Sequence, residues 1–160
     1  MAKFHQLPLS IYRMIKRPPQ MAYALGLGPV IGRLVLLLTT IGRVTGSPRI
    51  TPLQYEKIDD VYYVGAARGR KSDWVKNILA DPHVEIRVKS RHFHGYAEII
   101  TDPSRIADYL AYRLKKHPRM VGAMLKADGI PAEPNRIQLE EYAGRIVLVA
   151  IRPAEKHLAT

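Results

Sequence analysis

The chain contains no cysteine. Disulfide scaffolds, thiolate-ligated zinc, cysteine nucleophiles and iron–sulfur clusters are thereby excluded, and the composition suits a reducing cytoplasm. Acidic side chains are scarce: 14 Asp plus Glu stand against 25 Lys plus Arg, for a net charge of +11. Such an excess implies an anionic partner, whether nucleic acid, a membrane surface, or a small ligand with phosphates and carboxylates. No apolar run approaches the roughly 18 residues of a membrane span. The longest, Leu34 to Leu38, continues only through Thr39, Thr40 and Ile41. Pro8, Pro18 and Pro19 interrupt the N-terminal stretch, which lacks the order of a signal peptide. Also missing are Gly-x-Ser-x-Gly, a phosphate-loop Gly-x-x-x-x-Gly-Lys-Ser/Thr and a helix-opening Gly-x-Gly-x-x-Gly. Hydride transfer needs none of these, because its chemistry resides in a cofactor.

What is present fits one globular domain of 160 residues, with 47% apolar residues to build a core. Residues 1–32 differ from the rest. Ile11, Tyr12, Met14 and Ile15 alternate with Arg13, Lys16 and Arg17 before Pro18-Pro19, which predicts amphipathic helix broken by prolines. Such a segment serves as a cap on the core or as a basic anchor on a membrane surface. Residues 33–153 read as the main domain and 154–160 as a tail. Leu34 to Ile41 predicts a strand buried on both faces, followed by a Gly/Pro turn over 42–49. Ile50 to Ile58 reads as the return strand and Val61 to Ala67 as a third. Trp74, Val75, Ile78 and Leu79 form the stripe of a short helix that Ser72 or Asp73 can cap and Asp81-Pro82 ends.

Alternation at Val84, Ile86 and Val88, and again from Phe93 to Ile99, predicts two half-buried strands. Asp102-Pro103 opens a helix with Ile106, Tyr109, Leu110 and Leu114 on one face. A Gly/Pro-containing segment follows from His117 to Pro134, and Ile146 to Ile151 reads as a closing central strand. About six mostly antiparallel strands without βαβ units predict a small β-barrel with flanking helices, an α+β architecture.

Two basic turns could carry binding. Gly42, Arg43, Thr45, Gly46 and Arg49 sit at one corner, and Arg68, Gly69, Arg70 and Lys71 sit at another just before a helix. Glycine admits close backbone approach to an anion, and Arg offers a fork for phosphate. Both flank the hairpin from Ile50 to Ala67, so they are expected to be neighbours. Trp74 and Asn77 share a helix edge, which suits the flank of a flat, hydrogen-bonding ring or, equally, a core anchor with a cap. His92 and His94 share a strand face without a third metal ligand, so no metal is expected. The nine tyrosines could stack bases, yet no nucleic-acid motif appears and nucleic acid is not the expected partner.

The segment Leu37-Leu38-Thr39-Thr40-Ile41-Gly42-Arg43-Val44-Thr45-Gly46-Ser47-Pro48-Arg49-Ile50-Thr51-Pro52-Leu53 resembles the hallmark of the deazaflavin-dependent nitroreductase and quinone-reductase family. Asp73-Trp74-Val75-Lys76-Asn77 through Asp81-Pro82 is similar to that family's second signature, a Trp-x-x-Asn helix. Together they cover about Val35 to Val88. The resemblance implies a split β-barrel of the FMN-binding type that holds coenzyme F420 and passes a hydride to a quinone, enone or nitro compound. By similarity, Arg43, Thr45 and Arg49 meet the phosphate region. Thr51, Pro52, Leu53 and Gln54 border the ring or ribityl chain, Ala66, Ala67 and Arg68 line the third strand, and Trp74 and Asn77 close the site. Val44 stands where the family has a lysine, as does Arg68. No side chain is assigned as acid or base; water and a tyrosine such as Tyr109 are open to that role. Alternatives are an FMN-binding oxidoreductase on the same barrel and a non-enzymatic protein of nucleic acid or anionic membrane. A cytoplasmic protein is expected, with peripheral contact at the inner membrane face through 1–32 and a homodimer among its options.

Overall fold

The computed structural model describes residues 35–154. The segment expected to be helical at 1–32, and the tail from residue 155 onward, lie outside them. The elements run β1 (Val35–Ile41), β2 (Pro48–Gln54), β3 (Glu56–Ile58) and β4 (Val61–Ala66). A 3-10 turn (Gly69–Lys71) and α1 (Asp73–Ala80) follow, then β5 (His83–Val88) and β6 (Arg91–Ile100). Three helices, α2 (Pro103–Lys116), α3 (Pro118–Ala127) and α4 (Arg136–Ala143), precede β7 (Val147–Pro153). All seven strands form one antiparallel sheet in the order β2-β1-β5-β6-β7-β4-β3.

The return strand expected from Ile50 to Ile58 is two strands, which makes seven where about six were expected. Only Tyr55 separates β2 from β3, yet they lie at opposite margins of the sheet. The reason is a change of partner. Up to Gln54 the chain pairs with β1, Gln54 opposite Val35; from Glu56 it pairs with β4, Glu56 opposite Tyr63. The sheet must curl to bring both margins to one continuous stretch of chain. Above Tyr55, β2 and β4 share no ladder. This is the split barrel that the motifs implied.

Strand alternation builds two cores. Leu36 and Leu38, Val64, Val84 and Ile86, and Val147, Val149 and Ile151 face the barrel interior. Leu148 and Ala150 face outward and pack on α2, α3 and α4 through Ile106, Leu110, Val121, Leu125 and Leu139. β7 is therefore buried on both faces, as its continuous apolar run predicted. One barrel end is plugged by Tyr55, Tyr62 and Phe93, whose rings stack at 5.7 and 5.3 Å. The other is covered by α1, which inserts Val75 and Ile78 into the interior core.

Helix α2 starts as predicted, with Asp102 Oδ1 accepting from the Ser104 N–H at 3.0 Å and Pro103 in the first turn. By contrast, Ser72 occupies the cap position of α1 without a side-chain capping bond. The segment from His117 to Pro134 is not only connector. Pro118 opens α3 instead of breaking structure, and Val121 and Leu125 make its buried stripe.

Two buried phenols give the outer core a pH limit. Burial pushes Tyr109 well above the usual phenol range, and burial with a hydrogen bond to Asp128 (2.6 Å) does the same for Tyr142. A folded-state pKa above the unfolded one holds the proton in the native state. The associated stability is complete below about pH 10 and falls as pH rises beyond it. Each phenol contributes a slope of about 1.4 kcal/mol per pH unit there, so the pair contributes about 2.7. Urea unfolding at intervals between about pH 9.5 and 11 should show stability falling, and Tyr109→Phe should reduce the slope by about 1.4 kcal/mol per pH unit at the upper end of that range.

Candidate functional site

At the end of the barrel covered by α1, a cavity of about 380 Å³ opens between the turn after β1, the start of β2 and the first turn of α1. Its wall includes Arg43, Thr45, Arg49, Thr51, Trp74 and Asn77, together with Gly42, Val44 and Asp73. The volume falls within the range of small-ligand clefts.

The turn is shaped by its glycines. Gly42 N donates to the Ser47 carbonyl (2.8 Å) and Gly46 N to the Gly42 carbonyl (2.7 Å). Gly46 takes a left-handed φ of 70° that side chains disfavour. A Cβ on Gly42 would meet Thr45 Oγ1 at 3.0 Å and the Ser47 carbonyl at 3.1 Å. Thr45 Oγ1 accepts from the Ser47 N–H at 3.3 Å, which leaves its own proton available to donate.

Asn77 fastens this turn to the barrel and to α1. It is buried, its Nδ2 donates to Thr40 Oγ1 (3.1 Å), and its Oδ1 accepts from Arg43 N (3.2 Å) and Arg43 Nη1 (3.0 Å). Its amide oxygen is thus occupied within the protein, so it supports the wall more than it faces a ring. Arg43 continues to Asp73, donating from Nη2 to Oδ1 (3.1 Å) and from Nη1 to the carbonyl (3.4 Å). Arg49, in contrast, has no hydrogen-bond or ion-pair partner among the described residues. Arg43, a candidate from the sequence, lines the cavity, and so does Asp73, whose carboxylate signals only helix capping in the sequence.

Strand alternation divides the remaining candidates. Arg49, Thr51 and Leu53 pair opposite Thr40, Leu38 and Leu36, on the interior side of β2. Pro52 and Gln54 fall on its other face, because neighbouring strand residues point oppositely. Ala66 is buried in the interior core, and Ala67 and Arg68 are exposed beyond the end of β4. Neither these five nor Leu53, which packs against the interior core, belongs to the cavity wall. The two basic turns lie at the same barrel end, but only the first contributes to the cavity. Tyr109 sits in the outer core against Tyr63, with ring centroids 5.4 Å apart, and not at the cavity. His92 bonds Glu85, and no cluster of three metal-ligating side chains exists among the described residues. No described helix is long and apolar enough to cross a membrane.

Residues 20–127, about two thirds of the chain, match the family described as F420H(2)-dependent quinone reductase. An F420H(2)-dependent quinone reductase of Mycobacterium tuberculosis is 41% identical over 61 residues, which are 36% of this chain and 41% of that relative. The match therefore spans less than half of the relative's length. Among solved structures, an F420 reductase superposes with a TM-score of 0.50 at 21% identity, covering 77% of this chain and 88% of its own. A heme storage protein, HutZ of Vibrio cholerae, gives 0.54 at 15% identity over 78% and 84%. At such identities these two establish the shared fold.

Proposed function

Because the chain belongs to the F420H(2)-dependent quinone reductase family, we propose that it reduces a quinone or similarly electron-poor organic acceptor using reduced F420 held in the cavity beside α1. One observation carries this reading: Arg43, Arg49, Thr45 and Thr51 converge with the single indole, Trp74, on one cleft. Guanidinium and hydroxyl donors suit a phosphodiester, and an aromatic wall suits a flat heterocycle. The residues present therefore fit an anionic, ring-bearing cofactor.

When bound, reduced F420 supplies the hydride that the acceptor takes up. The chain's own part is binding and orientation. Arg49 and the Arg43 edge not engaged by α1 hold the phosphodiester, assisted by the Thr45 hydroxyl proton. The N–H groups of Val44 and Thr45 have no protein acceptor among the described residues and can donate to the same anion. This offsets the missing cation at Val44. Thr51 and Leu53, on the interior face of β2, border the ring or ribityl chain. Trp74 closes one wall, and Asn77 keeps the turn in place behind it. Pro52, Gln54, Ala66, Ala67 and Arg68 are given no direct contact. The acceptor is a small redox molecule, and the cysteine-free chain suits the reducing cytoplasm.

The test is a titration of the protein with oxidised F420 and, separately, FMN, following Trp74 fluorescence, then anaerobic mixing with reduced F420 and a soluble quinone. Saturable micromolar quenching by F420 and quinone-dependent reoxidation are expected. Tight FMN uptake without F420 binding would overturn the reading.

A further inference from the structure

Thr40 is the polar exception on the interior face of β1. Leu36 and Leu38 precede it on that face and pack in the barrel core. Thr40 is fully buried as they are, and it is not part of the cavity wall. A buried hydroxyl is costly unless it is hydrogen-bonded. Among the described residues its side chain has one such bond: Asn77 Nδ2 donates to Thr40 Oγ1 at 3.1 Å. Asn77 is buried too, and its Oδ1 accepts from Arg43 N at 3.2 Å and from Arg43 Nη1 at 3.0 Å. Hydroxyl, amide and guanidinium thus run in series from the barrel interior to the cavity wall.

We propose that Thr40 is a positioning residue for the anion grip: its hydroxyl holds the Asn77 amide, and the amide holds the Arg43 guanidinium at the angle it takes in the cavity wall. This rests on the proposed F420 reading. The argument is one of partners. A side-chain amide has an acceptor at one end and donors at the other. Two Arg43 donors occupy Oδ1, and Thr40 supplies the acceptor for Nδ2. Without the hydroxyl, Nδ2 becomes a buried donor with no partner, and the amide relieves this by rotating toward the open cavity. Oδ1 then leaves Arg43. The guanidinium keeps only its bonds to Asp73, whose side chain is 82% exposed, and is drawn toward that rim. Thr40 touches no ligand in this scheme and acts through Asn77.

Thr40→Val and Thr40→Ser separate the hydroxyl from the packing: valine keeps the shape and loses the oxygen, and serine does the reverse. Titration with oxidised F420, read from Trp74 fluorescence, should show binding to Thr40→Val weakened roughly 5- to 30-fold. Thr40→Ser should stay within about threefold of the wild type. Its melting temperature should nevertheless fall, because it leaves a methyl-sized void. A merely structural role gives the opposite order, with serine the poorer binder. In an Arg43→Ala background Thr40→Val should add almost nothing, whereas beside Arg49→Ala its full factor should persist. Without ligand, the Asn77 side-chain amide protons should exchange with solvent faster in Thr40→Val than in the wild type or Thr40→Ser, as read by NMR. Unchanged amide exchange in Thr40→Val, undiminished affinity, or an equal loss with and without Arg43 overturns this inference alone when the wild type binds F420. A wild type that binds no F420 overturns the proposed function with it.

Discussion

Replacing Glu56 by Ala should cost about 3–5 kcal/mol of stability, the range seen when one member of a buried ion pair is removed. Glu56 begins β3, directly after the residue at which the chain changes margins. Its side chain is only 4% exposed, and Arg113, Lys116 and His117 converge on it from the end of α2. Lys116 bonds its Oε1, while His117 Nε2 and Arg113 Nε approach Oε2 at 3.3 and 3.6 Å. Arg113 is itself buried, so loss of the carboxylate leaves a guanidinium without a counter-charge in a dry environment. Lys116 reads the same attraction, its ammonium being held above the usual range chiefly by the bond to Glu56. For a chain of this size the loss corresponds to a melting temperature lower by roughly 6–20 °C. Differential scanning calorimetry decides it, and a shift of only a degree or two would show that the cluster is relaxed by water. Substituting Arg113 with Met alongside Glu56→Ala should recover part of the loss, because no buried guanidinium is then left without its counter-charge.

Arg43→Ala should weaken F420 binding by about 2–4 kcal/mol, or roughly 30- to 1000-fold. Three losses combine. A guanidinium leaves the cavity wall. Asp73 becomes an uncompensated carboxylate on that wall. The buried Asn77 Oδ1 keeps only the backbone N–H of residue 43 as a donor, so the turn is less firmly held. Arg49→Ala removes only the first kind of contact and should cost less, although Arg49 has no competing partner among the described residues. Isothermal titration of both variants ranks them. A larger effect at Arg49 would mean that Arg43 serves the fold and not the ligand. The double variant Arg43→Ala with Asp73→Asn should regain part of the affinity, since the two side chains touch and their effects are coupled.

Much of the site could be read from the sequence because its determinants are local. The Gly42 to Gly46 turn, the Trp74 and Asn77 edge and the Asp102-Pro103 helix start each lie within a few residues of chain. What escaped depends on distant partners. Nothing near Tyr55 marks a change of ladder; only the separate pairing of Gln54 with Val35 and Glu56 with Tyr63 imposes it. Glu56 meets Arg113, Lys116 and His117 across some sixty residues, a distance at which no sequence spacing carries information. Helix α3 was hidden by Pro118 and Gly122, which read as loop residues although proline is well placed in a first turn. Helix α4 did leave a signal: Asn135 and Gln138 form a reciprocal capping box. The division of 51–54 between two faces of β2 was also available from alternation, but the contiguous family motif obscured it.

The double-sided burial of β7 has a mechanical corollary. This strand is a party wall: its odd-numbered residues furnish one chamber and its even-numbered ones the next. Neither chamber can be opened without stripping the partition that lines the other. The helical layer and the barrel are thus obliged to melt in concert.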